Sequence, residues 1–200
     1  MLEIYYARTP NGVKPLLFAA EYEVEVKLHP INLGQREQFS PEFLVISPNS
    51  KIPAIVDDGQ AIFESGAILE YLAEKFAGLG ANPRKYEIVQ WLYWQTGGLG
   101  PMGGQSRFFR ETAPEQIPFA IERFATELER LNRVLDGHLE RNAFVSGDCY
   151  HIADMMIYPW VLYNKNNGIA IDHFEHLSRW FDTIAQRPSV KTTYETHMTS

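Results

Sequence analysis

The stretch PNSKIPAIVDDGQAIFESGAILEYL, residues 48–72, decides how the first part of this chain folds. Two short apolar runs, IPAIVDD and GQAIFE, meet at Asp57-Asp58-Gly59, whose residue types suit the positive φ of a tight hairpin. A helix is expected over 65–76, opening at Glu64-Ser65-Gly66. Before the first strand stands Ile52-Pro53. An X-Pro amide has lost most of its trans preference, so this step is a candidate cis bond. A plain proline at the beginning of a strand is the alternative reading.

Upstream, LEIYYA (2–7) is rich in aromatic and β-branched residues and reads as a strand, broken by TPNG. Residues 12–22 read as a helix, with Val13, Leu16, Leu17 and Ala20 at helical spacing and Pro15 in its first turn. EVEVKLHPI (23–31) alternates as a second strand. SPEFLVI (40–46) follows as a short helix, with Ser40 as its cap and Pro41 as its first residue. The β-α-β order demands a parallel crossover, and the hairpin adds an antiparallel edge, which predicts a mixed sheet flanked by helices. Beyond AGLGANPRKYE (77–87) the strand signals stop. Residues 84–110 read as helical with an interruption at 97–105. Ile117, Ile121, Phe124, Leu128, Leu131, Leu135 and Leu139 mark one face of a long helix, and two more helices are expected near 151–163 and 173–187. The expectation is an α/β domain at 1–78, a linker at 79–86 and an all-helical domain at 87–200.

Bulk properties narrow the function. A hydrophobic share of 45% and a charged share of 22% are ordinary for a soluble globular protein. The net charge of -7 argues against nucleic acid or an anionic membrane as the main partner. No stretch has the length and apolarity of a membrane span, and MLEIYYARTPNG has no basic segment leading into an apolar one. The single cysteine, Cys149, can form neither an internal disulfide nor a CxxC pair, which fits a reduced, cytoplasmic protein. The six histidines show no metal-ligand spacing, so no metal is expected.

The site residues suggest a ligand. A cis Ile52-Pro53 step would turn the Ile52 N–H and C=O outward, where a peptide-like molecule can pair with them as an added strand. Helix N–H groups behind Ser65 favour a carboxylate, and Glu64 offers a charge for an ammonium. Simple capping of the helix by Glu64 or Ser65 is the alternative. Gln38 and Lys51, from adjoining loops, can hold a terminal carboxylate. An amino-acid head, a peptide middle and a terminal carboxylate together describe glutathione, whose cysteine would lie near TPNG.

NSKIPAIVDDGQAIFESGAILEYLAEKF resembles the glutathione-site signature of the cytosolic glutathione transferases, and the resemblance extends through HIADMMIYPW (151–160). TPNGVK (9–14), ISPNSKIPAIVD (46–57), WLYWQTGGLGPMGGQ (91–105) and IPFAIERF (117–124) resemble the Nu class. The resemblance implies a thioredoxin-like N-terminal domain, a helical C-terminal domain, a homodimer and a cis Ile52-Pro53 bond. It also implies a glutathione-dependent disulfide-bond reductase that holds two glutathione thiols, or one glutathione disulfide, in each site. Transferase and peroxidase activities would be weak. By the same resemblance, Thr9 and Asn11 lie beside the glutathione sulfur, and Glu64 and Ser65 hold the γ-glutamyl head. Ile52 pairs with the cysteinyl backbone, Gln38 and Lys51 reach the glycyl end, and Arg123 helps hold the second glutathione. One departure stands out. Where relatives have a Ser or Thr helix cap before the retained Asp154, this chain has His151, a weaker cap.

The thiolate is the reactive form of a thiol, and a hydroxyl and an amide at a helix start would stabilise it. Tyr5 and Tyr6 are rivals for that role, although a strand must point at least one of them into the core. Arg8 is either a pocket charge or a solvated one. In the expected cycle one glutathione thiolate attacks a substrate disulfide and a second resolves the mixed disulfide, with no part for Cys149. Trp91 reads as core, while Phe108 and Phe109 are open between core packing and a substrate mouth. Two other readings use the same residues: a conjugating transferase acting on electrophiles, and a non-catalytic glutathione-binding regulatory protein.

Overall fold

Strands β1 (Leu2–Tyr6), β2 (Val26–Pro30), β3 (Ala54–Asp57) and β4 (Gln60–Phe63) form one sheet in the order β2-β1-β3-β4. This is seen in a computed structural model that describes residues 1–198. β1 pairs with β2 in parallel and with β3 antiparallel, and β3 pairs antiparallel with β4, giving the mixed sheet expected from the pattern. Helices α1 (Lys14–Glu21), α2 (Pro41–Ile46) and α3 (Ser65–Phe76) complete the thioredoxin-like layer. Ile4, Ile55, Ile68, Leu69 and Leu72 are fully buried between sheet and helices. Each such side chain contributes about 1.5–3 kcal/mol relative to an exposed one.

Local chemistry sets the ends of these elements. The Ser40 Oγ accepts the Phe43 N–H at 3.2 Å, and Pro41 stands at the first helical position, so α2 starts where its cap and proline predict. α1 starts two residues later than expected, because Thr9–Gly12 are taken up by a turn. β2 starts at Val26 rather than Glu23, which at φ 51 still belongs to the turn leaving α1. A short 3₁₀ turn at Glu37–Phe39, absent from the sequence reading, carries Gln38.

The second unit of the chain, Tyr86–Ala185, is helical. It holds most of α4 (Lys85–Trp94), then α5 (Gly100–Arg107), α6 (Pro118–Leu139), α7 (Ile152–Asn166) and α8 (Glu175–Ala185). The expected interruption at 97–105 is not a break. Widened π turns at Gln95–Leu99 and Phe108–Thr112 carry the chain on as helix. Gly103 makes a close approach possible there, since a Cβ on it would stand 2.5 Å from Asn164 Oδ1. α6 buries Leu128, Leu131, Leu135 and Leu139 of the expected face, whereas Ile121 and Phe124 are half-buried and Ile117 is exposed just before the helix begins. Trp91 is buried core, packing on Trp94 and His138. Phe109 stacks on Phe124, whereas Phe108 is exposed. The start of α7 relies on Asp154, whose carboxylate accepts the His151 N–H at 3.2 Å.

The helix expected at 173–187 ends at Ala185, and a further helix, α9 (Pro188–His197), follows it. Arg187, held extended before Pro188, separates the two. α9 packs on α1, where Glu21 pairs with Arg187 and accepts the Ser189 hydroxyl. The described residues from Gln186 onward therefore cluster with Met1–Lys85, whereas the sequence pattern predicts a helical domain running to 200. Among the described residues no helix is long and apolar enough to cross a membrane.

Candidate functional site

The sheet topology brings the site segments to one end. Tyr5 stands opposite Ala54, and Ala54 opposite Phe63. The end of β1, the start of β3 and the end of β4 are thus neighbours, and the parallel β2 ends on the same side at Pro30. From that edge emerge the 7–13 turn, the Ile31–Gln38 loop, Ile52-Pro53 and Glu64-Ser65. Ligands in sheets of this kind bind beyond the strand ends, where the connecting loops converge.

The 7–13 turn is tightly built. The Ala7 carbonyl accepts the Thr9 N–H at 2.7 Å, and the Thr9 carbonyl accepts the Val13 N–H at 3.2 Å. Thr9 Oγ1 accepts the Gly12 N–H at 3.0 Å, which leaves the hydroxyl proton to be donated elsewhere. Gly12 is required by space, because a Cβ there would meet the Ala7 carbonyl oxygen at 2.1 Å. Asn11 is half-buried, and its Oδ1 accepts from Lys14 Nζ at 2.9 Å. Lys14 is fully buried, and the same Nζ donates to Ser65 Oγ at 3.1 Å. Burial holds Lys14 well below the usual lysine range, and the Glu64 carboxylate opposes this only in part.

Sequence reasoning missed Lys14. The signal was there: Leu17 and Phe18, three and four residues on, put the lysine over an apolar face. At the start of a helix, however, a lysine reads as solvated.

Glu64 and Ser65 lie at the start of α3, as expected, and the Glu64 side chain makes no capping hydrogen bond. Glu64 is exposed and holds a positive φ of 73, a conformation rare for a residue with a side chain. Such strained positions cluster at ligand clamps. Ser65 is buried, joined to Asn11 through Lys14.

The Ile52-Pro53 bond is cis. Ile52 is half-buried, two residues before the β3 ladder begins. Its loop is pinned by the Ser47 hydroxyl, which donates to the Lys51 carbonyl at 2.8 Å. The Lys51 side chain is exposed. Gln38 is half-buried, and its Oε1 is buried with no donor against it. Arg123 is exposed on α6, in the second unit.

Among the rivals, Tyr5 is stacked on His29 at 4.4 Å and tilted against Phe43, and burial pushes its phenol up. Tyr6, Arg8 and Thr9 border an open cavity of about 690 Å³ with Pro30–Leu33 and Glu37. That volume suits a small organic ligand. Cys149 is an exposed free thiol in the second unit. Among the described residues no cluster of three His, Cys, Asp or Glu side chains is arranged to hold a metal.

Comparison with known proteins gives this geometry its context. Residues 1–74 match the glutathione S-transferase N-terminal domain, and residues 119–188 match the C-terminal domain. The disulfide-bond oxidoreductase YfcG of Escherichia coli (strain K12) is 45% identical, over 94% of this chain and 92% of its own length. A glutathione transferase family member from Pseudomonas fluorescens pf-5, solved with two glutathione bound, superposes with a TM-score of 0.90. It is 38% identical, over 97% of this chain and 92% of the other. A glutathione transferase from Pseudomonas putida, with one glutathione disulfide bound per subunit, gives a TM-score of 0.88 at 37% identity, over 98% and 91% of the two chains. With both domain families matched in order and relatives aligned over nearly its whole length, the chain belongs to the glutathione S-transferase family.

Proposed function

We propose that this protein is a glutathione-dependent disulfide-bond reductase of the Nu class. Two glutathione thiols, or one glutathione disulfide, occupy each site. The turn from Thr9 to Lys14 carries this reading, because Thr9 borders an open cavity with a hydroxyl that still has a proton to donate, and Asn11 follows two residues later just before α1. A free thiol with pKa about 8.5 is mostly protonated at neutral pH. Donors at a helix start lower that value by stabilising the charged form. Support also comes from a relative named as a disulfide-bond oxidoreductase and from similar structures that hold two glutathiones or glutathione disulfide.

Glutathione is a substrate here, and the reaction is thiol–disulfide exchange. Two glutathione thiols and one substrate disulfide become glutathione disulfide and two substrate thiols, so two electrons and two protons pass to the substrate. In this reading Thr9 and Asn11 hold the sulfur, and Glu64 pairs with the γ-glutamyl ammonium. Ser65 and the first N–H groups of α3 take the γ-glutamyl carboxylate. Ile52 aligns the cysteinyl backbone, and Gln38 and Lys51 reach the glycyl carboxylate. The orphan Oε1 of Gln38 supports its place in a ligand site. Arg123 serves the second glutathione. The same reading includes a cytoplasmic homodimer, supported by the resemblance to the class and by the single cysteine.

The test is a direct contest: turnover of a small disulfide against an electrophilic aromatic halide, with calorimetry counting glutathiones per subunit. Faster disulfide turnover and two glutathiones per subunit are expected. Faster halide turnover with one glutathione would make the protein a conjugating transferase. Tight binding with neither turnover would make it a binding protein.

A further inference from the structure

We propose that Lys14 is a positioning residue for the reaction: its Nζ holds the Asn11 carbonyl oxygen and the Ser65 hydroxyl oxygen at once, which aims the Asn11 NH₂ at the glutathione sulfur and ties the sulfur-binding turn to the start of α3. The inference rests on the assignment of Asn11 to the sulfur and deepens it.

Three observations carry it. Lys14 has no exposed surface, and lysine is almost never fully buried without a specific reason. The two side-chain oxygens it holds, at 2.9 and 3.1 Å, come from Asn11 and Ser65, the second of which lies 51 positions beyond the lysine, and both belong to the glutathione site as proposed. An asparagine amide has one accepting end and one donating end. An ammonium has donors only. Rotating Asn11 by half a turn would set donor against donor, so Lys14 fixes which end of the amide faces away from it. A thiolate needs the donating end. The positive charge behind Asn11 also polarises the amide, which strengthens its donation to an anion. Burial depresses the lysine well below its usual range, and the Glu64 carboxylate opposes that shift only in part, so the role of Lys14 rests on its two hydrogen bonds.

The test follows the pKa of bound glutathione thiol in Asn11→Ala, Lys14→Met and the double variant. It is read from thiolate absorbance and from the pH profile of disulfide reduction, with folding checked by denaturant unfolding. Lys14→Met should raise the bound thiol pKa by about one unit, cutting thiolate and turnover about tenfold below that pKa. Adding Asn11→Ala should then change little, because the two residues act as a unit. Lys14→Gln, which keeps an N–H donor for Asn11 without the charge, should shift the pKa less. If Lys14→Met folds poorly, Lys14→Gln alone and with Asn11→Ala decides by the same coupling.

Full additivity of the two single variants would overturn the proposal, as would a Lys14→Met protein altered only in stability. A folded Asn11→Ala protein with unchanged thiol pKa and turnover would remove Asn11 from the sulfur and the proposal with it. That failure shows in the Asn11 single variant, so it is distinct from a failure of Lys14.

Discussion

Among the described residues, each unit of the chain buries one charged group completely: Lys14 in the first and Asp154 in the second. Their partners differ in kind. Asp154 accepts backbone N–H groups from Val145 at 2.7 Å, Ser146 at 3.3 Å and His151 at 3.2 Å, and the Trp180 indole N–H at 2.7 Å. Burial pushes this carboxyl up, and the hydrogen bonds from Trp180 and the backbone pull it down. These donors belong to the frame of the helical unit, so the carboxylate joins a loop, a helix start and α8. Lys14 instead holds side chains of two residues read as ligand-binding. A buried charge surrounded by backbone serves the fold. One that holds the side chains of a site serves the site.

Asp154→Ala should test the structural half of that contrast with the largest effect. It orphans the buried Val145 and Trp180 donors and removes the anchor at the start of α7, a loss of about 3 kcal/mol in denaturant unfolding. Glutathione affinity of the folded protein should be unchanged. A stable variant with collapsed glutathione binding would break the division.

Glu64→Gln should show the opposite profile. Glu64 is exposed, so stability should barely move, while glutathione affinity by calorimetry should fall about tenfold, in line with roughly 1.5 kcal/mol for a hydrogen bond to a charged group. Unaltered affinity would take the carboxylate out of the head-group site.

Asp57 sharpens the comparison with a third carboxylate, at the hairpin end of β3. Burial raises its carboxyl, but hydrogen bonds from Lys75 and Tyr71 outweigh this and hold it below the usual range. A folded-state pKa below the unfolded value near 3.9 gives stability that is present above about pH 4 and lost as pH falls through the folded value. Asp57→Asn should cost about 1 kcal/mol at neutral pH and flatten the acid limb of the stability curve, without changing turnover. An identical acid limb would remove Asp57 as its source. The smallest effect belongs to Cys149→Ser, which should keep near-normal glutathione-dependent disulfide reduction. Loss of that activity in a variant that folds and binds glutathione would put a protein thiol into the cycle.

Sequence alone determined what depends on neighbouring residues. The hairpin at Asp58-Gly59, the Ser40 cap, the long face of α6 and the β-α-β crossover were all legible, because turn chemistry and side-chain period act over a few residues. The Ile52-Pro53 step was marked as a candidate, and the resemblance to a known class supplied its isomer. α9 was not legible, because it buries only Val190 and Thr193, and its pairing with α1 spans most of the chain. The glycine-rich stretch 97–105 reads as a break in the sequence, because glycine looks like a breaker until a neighbouring side chain is seen pressing on it. Only the tertiary structure could show that Lys14 is buried and that one ammonium joins Asn11 to Ser65. Helix periodicity says which face a residue is on. The depth of that face, and the partner that arrives from a distant strand end, are decided by how the sheet is closed.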